Sequence, residues 1–464
     1  MTRSIHRIPA LAPGAVLALL LSLGAFSGSA VAQSPGASPS PAVAVEVCAE
    51  PEASAPPRPD ETLSIPQEFR IQLFEGVWGG IRDFYVDPEV KGLDWEAIGD
   101  EYAPLIVRTD NAYEVYDLLR EMVATLDDPY TYFLSPEDQG DPASFDPSYG
   151  GIGALLDSSA AGVETDGLRI LYVFEGGSAR EAGIRERDRI VAVNGDPCAR
   201  IADIRGPAGT DVTLTIVSPG EEPRDVVVER RQISPLILPE ARRLSAAPDV
   251  GYLRIPSLAG QEVIDGVAAA LAELVEADDP LEGLVIDVRA TNQGAPGVIV
   301  QVLSHFVAGE VGAFHSRVGD EPITIEPSAL APAYADVPVV VMVDSGSQAE
   351  AEQLAAILQD QGRATIVGEE TAGETHGSNT VDFPDGSVLQ LVSFGFKLPD
   401  GETLEGRGVT PDLVIEEDWL AYPEEEDPGL LAAVDAIRSG DASSDGATVA
   451  SAAPSPIASG DAAG

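Results

Sequence analysis

The sequence predicts a multidomain protein with an N-terminal helical region, a small β domain and a layered α/β core. Three patterns along its 464 residues predict this fold class. Apolar residues recur at helical spacing up to about residue 139, and short strand-like runs separated by glycine-containing turns follow. From about residue 249 onward, strand-like and helix-like segments alternate, which is typical of a layered α/β core. A chain of this length is expected to form about three domains.

The helical region contains two amphipathic stretches, FRIQLFEGVWGGIRDFYVD and NAYEVYDLLREMVATLDDPYTYFLSP. The second closes on an Asp-Pro pair, which stops a helix because the residue before proline disfavours the helical conformation. We expect the aromatic residues of this region to belong to its core and not to a ligand site; they are Trp78, Phe84, Tyr85 and Trp95.

The β domain opens on a glycine-rich loop formed by Gly150, Gly151, Ile152 and Gly153. Such a loop can present backbone N–H groups to a carboxylate, while the neighbouring strand edge accepts an extended peptide. The alternative is a turn with only a structural role. The loop is not a dinucleotide-binding fingerprint, because the third glycine and the later ribose-binding acid are missing.

The α/β core is predicted from alternating segments. Strand-like runs are GYLRIPS, LEGLVIDVR, VPVVVMVD, RATIVGE and SVLQLVSFGFKLP, and helix-like runs are VIDGVAAALAELVEAD, GVIVQVLSHFVAG and AEAEQLAAILQDQG.

The stretch DSGSQAEAEQLAAILQDQGRATIVGEETAGETHG resembles the active-site region of the C-terminal processing, or tail-specific, serine peptidases. The segment SYGGIGALLD and the strands after it resemble a PDZ domain, the tetrad Asp128-Pro129-Tyr130-Thr131 resembles a motif of the family's helical region, and GRGVTPDLVI resembles its closing motif. The resemblance covers roughly residues 65–418, with the segments in family order. It implies a helical domain at 63–145, a PDZ domain at 147–233 and a peptidase-like core at 249–420, while the composition of the two ends predicts a signal peptide at 1–32, a low-complexity linker at 33–62 and an acidic flexible tail at 421–464.

The resemblance also implies where a catalytic dyad would lie. The family has a nucleophilic serine three residues before a glutamate and a general-base lysine 25 residues after that serine, and these positions hold Ala349 and Glu374 here. The position of a lysine-orienting glutamine holds Ser378. Alanine has no nucleophile, and a carboxylate beside a developing oxyanion raises the energy of the transition state. The sequence therefore predicts an inactive member of the family without a cofactor or a metal.

Relocated catalytic groups are the alternative to inactivity. Ser345 or Ser347 could pair with His376 and cleave peptides, but we expect the two serines to be loop and N-cap groups and His376 to be an exposed imidazole. The only lysines, Lys91 and Lys397, are expected to be solvated surface charges. Two further histidines, His305 and His315, have no partner at metal-ligand spacing.

The oxyanion turn of the family, an Asn-Pro-Gly-Gly run after an Asp-Leu-Arg strand end, corresponds to residues 290–294. The proline and one glycine are absent, so the backbone of this turn should take a different direction from that in the family. Asp287 and Arg289 remain, and we expect them to form an ion pair or cap that fixes the strand end.

Charge and targeting signals limit the possible partners. The formal net charge is −50, which argues against nucleic acid and anionic membranes as partners. Arg3 and Arg7, an apolar run and Ala30-Val31-Ala32 have the layout of a cleavable signal, so we expect an exported protein without a membrane span after cleavage. Cys48 and Cys198 are expected to be unpaired. The expected partners are polypeptide C-termini, and the remaining alternative is a structural protein with a closed PDZ groove.

Overall fold

The computed structural model describes residues 64–138, 149–157, 167–198, 200–232, 237–276 and 280–440. The predicted signal peptide, the whole of the linker 33–62, Cys48 and the end of the chain beyond residue 440 lie outside the described residues.

Three helices form the N-terminal region: α1 (Gln67–Phe84), α2 (Trp95–Arg108) and α3 (Ala112–Ala124). The side chains of Asp94 and Asn111 cap α2 and α3 by accepting bonds from the N–H groups of Ala97 and Tyr113. A short strand, β1 (Tyr132–Leu134), then pairs antiparallel with a strand of the core, so the helical region and the core share one apolar cluster.

The predicted aromatic core of this region is confirmed for Tyr85 and Trp95, which are buried, and Trp78 packs partly against the same cluster. The prediction is wrong for Phe84, which is 54% exposed. Phe84 is the last residue of α1, and the chain turns at Tyr85 into an extended conformation that directs Tyr85 and Val86 into the core instead.

The β domain has a five-stranded antiparallel sheet in the order β3-β4-β5-β7-β8 and a two-stranded pair, β2 with β6. Its strands are β2 (Tyr149–Gly150), β3 (Ala154–Leu156), β4 (Leu168–Val173), β5 (Arg189–Val193), β6 (Gly206–Pro207), β7 (Asp211–Val217) and β8 (Arg224–Glu229), and its short helices are α4 (Ser178–Glu181) and α5 (Ile201–Ile204). Alternate residues of β7 are buried, as a strand with one face on a core requires.

Cys198, which precedes α5, takes part in a disulfide bond. The expectation of unpaired cysteines is therefore wrong. The sequence contains one other cysteine, Cys48, which lies outside the described residues. An unpatterned cysteine spacing cannot reveal such a pairing, because it depends on a close approach in three dimensions.

The core is built on a six-stranded sheet in the order β18-β15-β14-β11-β10-β9, in which all neighbours except β9 and β10 run parallel. Its strands are β9 (Glu240–Leu244), β10 (Ala247–Arg254), β11 (Gly283–Asp287), β14 (Val339–Val343), β15 (Ala364–Gly368) and β18 (Leu413–Val414). Every residue of β11, β14 and β15 is buried, which explains their continuous apolar sequences.

Helices cover both faces of this sheet. The apolar cluster on one face includes residues of α6 (Gln261–Glu276), α7 (Pro296–Leu303), α8 (Ala331–Tyr334) and α9 (Glu350–Asp360), and the cluster on the other face includes residues of α10 (Pro428–Ser439). The range 421–464 was assigned to a flexible tail, but the helix-sized apolar stripe in PGLLAAVDAIRSG was expected to pack on the body, and α10 does pack on the sheet. The side chain of Asp427 caps this helix and is fully buried.

A second sheet of the core contains β12 (Gly309–Ser316), β13 (Gly319–Ile325), β16 (Gly377–Asp382) and β17 (Val388–Lys397), together with β1. The predicted fold class, with N-terminal helices, a PDZ-like β domain and a layered α/β core, is confirmed. None of the helices among the described residues combines the length and the apolar character that a membrane crossing needs.

Candidate functional site

Ala349, which the sequence resemblance aligns with the family's serine, lies between β14 and α9, where the chain turns from the sheet into the helix. Its backbone has φ 52° and ψ −117°, a conformation that suits glycine and strains an L-residue. Strain of this kind persists only where the surroundings over-determine it. Ala349 therefore has the backbone of a sharply presented side chain but no functional group to present.

Glu352 holds this turn in place. Its fully buried carboxylate accepts bonds from Thr371 Oγ1 at 2.5 Å and from the N–H groups of Gly373 at 2.6 Å, Glu374 at 2.8 Å and Ala349 at 3.2 Å. Burial raises the pKa of Glu352, and the four donors oppose that shift. One carboxylate thus joins the turn at Ala349 to the loop that carries Glu374.

The two dyad positions are adjacent in the structure, because the N–H of Ala349 donates to the backbone carbonyl of Glu374 at 3.0 Å. Burial raises the pKa of Tyr130 of the helical region, and the neighbouring Glu374 carboxylate raises it further. Ser378 lies on the exposed strand β16, where its Oγ accepts a bond from Gln390 at 2.5 Å. The position that the sequence alignment gives to the family's lysine therefore holds a carboxylate beside a tyrosine.

The turn at residues 290–294 lies against the start of α9, because Gly294 packs against Glu350. The predicted ion pair at its start is confirmed, since Arg289 Nη2 lies 2.7 Å from Asp287 Oδ2 and both side chains are buried. Burial alone would raise the pKa of Asp287, but Arg289 and Arg254 hold it well below its usual range. Ala290 has a φ of 52°, and its N–H donates to Asp344 Oδ1 at 2.8 Å.

Glu350, the first residue of α9, is a site residue that sequence reasoning missed. Its side chain is 8% exposed and packs against the 290–294 turn, where a Cβ on Gly294 would collide with its carboxylate. Burial raises its pKa, and its own N–H group opposes that shift. A buried carboxyl group therefore lies against the turn that corresponds to the family's oxyanion turn. Its sequence gives no signal, because an acid is ordinary in the first turn of a helix.

Among the described residues neither candidate replacement nucleophile pairs with His376 or a lysine, although Ser347 Oγ lies 3.2 Å from the carboxylate oxygen Asp344 Oδ1. Ser347 is fully buried, donates to the carbonyl of Val288 at 2.9 Å and accepts from the N–H of Asp344 at 3.1 Å. Ser345 is exposed. The N-cap position belongs to Ala349, so the expectation that these serines cap the helix is wrong, although Ser347 does bind a backbone donor.

His376 is not the fully exposed imidazole that was expected. It is half-buried, with Nδ1 3.5 Å from Glu405 Oε1 and its ring 6.3 Å from that of His315. The described residues contain no group of three His, Cys, Asp or Glu side chains placed to hold a metal ion. Both lysines have partners away from Ala349: Lys91 Nζ donates to the carbonyl of Asp127, and Lys397 pairs with Asp320.

The glycine-rich loop offers a different kind of site. The carbonyl of Ile152 accepts from Ala179 at 2.7 Å, and that of Gly153 accepts from Phe174 at 2.9 Å, whereas their two N–H groups donate to no group in the described part of the chain. The next strand, β3, is at the edge of its sheet, and its residues are half-buried. Two donors without a partner in the described part of the chain, beside an edge strand, are what a terminal carboxylate and an added peptide strand need.

Comparisons with known proteins agree with this architecture. Residues 66–124 match the Tricorn protease C1 domain, residues 169–218 match the PDZ domain and residues 249–415 match peptidase family S41. The chain is 28% identical over 379 residues to a carboxyl-terminal-processing protease of Synechocystis, covering 78% of this chain and 86% of the relative. It is 27% identical over 333 residues to the carboxy-terminal processing protease CtpB of Bacillus subtilis, covering 70% and 66%. A solved structure of a photosystem II D1 C-terminal processing protease is 25% identical with a TM-score of 0.55, covering 80% of this chain and 96% of that one.

Proposed function

Because these comparisons support membership of the C-terminal processing peptidase family, we propose that the chain is an exported member that lacks peptidase activity. In this proposal it binds protein C-termini through its PDZ domain and uses the peptidase-like core as a scaffold or regulator.

Three side chains support the loss of activity. Ala349 has no hydroxyl to form an acyl-enzyme, and Glu374, a carboxylate beside Tyr130, cannot act as the neutral amine that deprotonates a serine. Glu350 adds an obstacle of its own, since a carboxylate against the oxyanion turn would repel the negative charge that develops on a substrate carbonyl. Loss of the nucleophile and of the base, with a repulsive group added, removes each contribution that acyl transfer requires.

The observation that carries the binding function is the pair of free N–H groups at Ile152 and Gly153 beside the edge strand β3. Backbone donors without acceptors are uncommon near a packed core, because they cost free energy unless a ligand or water satisfies them. A peptide carboxylate would accept from both donors, and the preceding residues would extend the sheet along β3.

The test is a titration of the full chain with one fluorescein-labelled decapeptide ending in valine, made as the free acid and as the C-terminal amide. The free acid should bind at least about tenfold more tightly, because only it brings a charged acceptor to the loop. Equal affinities of the two forms would contradict the proposal.

A matched pair of glycine variants locates the site. Gly153 has a φ of +80°, and a Cβ there would lie 2.8 Å from Gly177 Cα, so Gly153→Ala should distort the loop and abolish the preference for the free acid. Gly220 has a φ of +74° with nothing within 4 Å, so Gly220→Ala introduces comparable backbone strain away from the loop and should leave binding intact. Equal losses in both variants would assign the effect to general destabilisation and count against the loop.

A further inference from the structure

A buried cluster of charged side chains joins three parts of the chain: the PDZ domain, the central sheet and the segment before α10. Among the described residues it contains three cationic and three anionic groups in mutual contact, so its formal charges balance; these are Arg187, Arg254, Arg289, Glu186, Asp287 and Asp427. Five of the six residues are less than a tenth exposed. Such a cluster loses much of its favourable energy when one member is removed, because the remaining charges are left buried without partners.

Arg187 is the PDZ residue of this cluster that contacts the segment before α10. It has a φ of 73°, a conformation that costs free energy for any residue except glycine, and it is only 7% exposed. Its guanidinium donates to the carbonyl oxygens of Trp419 at 2.9 Å and Tyr422 at 3.2 Å and to Asp427 Oδ2 at 2.9 Å. The strained backbone therefore accompanies a side chain whose donors are directed at another part of the molecule.

Trp419 is the common surface on which this cluster is assembled. The guanidinium carbons of Arg289, Arg187 and Arg254 lie 4.3, 4.9 and 5.8 Å from the centre of its ring. Cations this close to an indole face are attracted to it, and more strongly when water is excluded. One aromatic ring thus contacts the PDZ domain through Arg187 and the central sheet through the other two arginines.

Trp419 also reaches the turns that flank Ala349. Its Nε1 donates to Asp344 Oδ2 at 2.9 Å, and the other carboxylate oxygen of Asp344 accepts from the N–H groups of Ala290 at 2.8 Å and Gly346 at 3.1 Å. Ala290 begins the turn against which Glu350 packs, and Gly346 lies just before Ala349. Three side chains, Arg187, Trp419 and Asp344, therefore connect the PDZ domain to both turns.

We propose that Arg187, Trp419 and Asp427 form a clamp that locks the PDZ domain in one orientation on the core and couples that orientation to the turns on either side of Ala349. Arg187 is its positioning residue. The clamp does not depend on whether the glycine-rich loop binds C-termini, since all of its contacts exist without a peptide.

The test is hydrogen exchange measured by mass spectrometry on the full chain and three variants. Arg187→Gly removes the clamp while fitting the φ of 73°, so the PDZ domain should stay folded and exchange in residues 419–427 and 344–350 should accelerate by at least about tenfold. Trp419→Phe removes the bond to Asp344, so residues 344–350 should respond more than residues 419–427. Arg231→Ala, which removes an exposed arginine paired with Glu181 and Glu229, should change neither segment.

Unchanged exchange in both segments of Arg187→Gly would overturn the proposal, and acceleration confined to residues 419–427 would refute the coupling to the turns. If circular dichroism shows that Arg187→Gly is unfolded, Arg187→Lys is measured instead, because lysine keeps the charge but lacks the planar fork that spans three acceptors. The labelled free-acid decapeptide is titrated against the same variants. If the labelled free acid does not bind the unmodified chain, the proposed function fails, whereas the exchange result is unaffected.

Discussion

Replacing Ala349 by glycine should stabilise the protein if the strained turn is a retained feature of the site. An L-residue at φ 52° and ψ −117° carries a strain of about 1–3 kcal/mol. Glycine relieves this strain but costs about 0.5–1 kcal/mol through the greater freedom of the unfolded chain. Removing a half-buried methyl group costs a further ~0.4 kcal/mol. The balance is a gain of about 1 kcal/mol for Ala349→Gly.

Urea denaturation followed by tryptophan fluorescence measures this gain, since Trp419 lies on the core beside the site. With a slope of about 2–3 kcal/mol per molar urea, the midpoint should rise by roughly 0.3–0.5 M. Ala351→Gly is the matched control: Ala351 is buried inside α9, so the same replacement should lower stability by about 2 kcal/mol. A midpoint that falls in Ala349→Gly as it does in the control would refute the argument that the turn is strained.

Two further predictions concern the carboxylates of the site. Burial raises the pKa of Glu350, so the stability that its neutral form contributes is complete below about pH 4.3 and is lost as the pH rises through the raised pKa. The urea midpoint of Glu350→Gln should therefore rise relative to the unmodified chain as the pH increases from 4 to 8, whereas Glu273→Gln on the exposed face of α6 should follow the unmodified chain; a pH-independent difference for Glu350→Gln would contradict the assignment. The combined variant Ala349→Ser, Glu374→Lys and Glu350→Ala should become labelled by a fluorophosphonate probe at residue 349, and a folded variant without labelling would show that the framework of the site has not been preserved.

Much of the fold could be predicted from local patterns, because helical and strand periodicities reflect which faces are buried. The continuous apolar runs of β11 and β14 indicated strands covered on both sides, and the structure has helices on both faces of their sheet. The Asp287–Arg289 pair was also predictable, since the two residues are close in sequence at a strand end.

The features that sequence reasoning missed depend on contacts between distant segments. Glu350 is unremarkable in its helix, and its burial results from the turn at Gly294, which a linear pattern does not place beside it. Arg187 forms hydrogen bonds with residues that follow it by 232 and 240 positions in the chain. Its own segment is rich in charge and resembles a surface loop, so the sequence did not indicate that Arg187 is buried. The segment before α10 was assigned to an acidic tail for the same reason, although Asp427 within it is buried between two arginines.

The central claim is that a peptidase framework has kept its turns while losing its nucleophile and base. The most direct measurement is turnover of an unfolded polypeptide, such as reduced casein, by the purified unmodified chain, followed by mass spectrometry of the products. The account predicts no cleavage above that of a heat-denatured sample. Cleavage that disappears in Ser345→Ala or Ser347→Ala, with the fold intact, would contradict it.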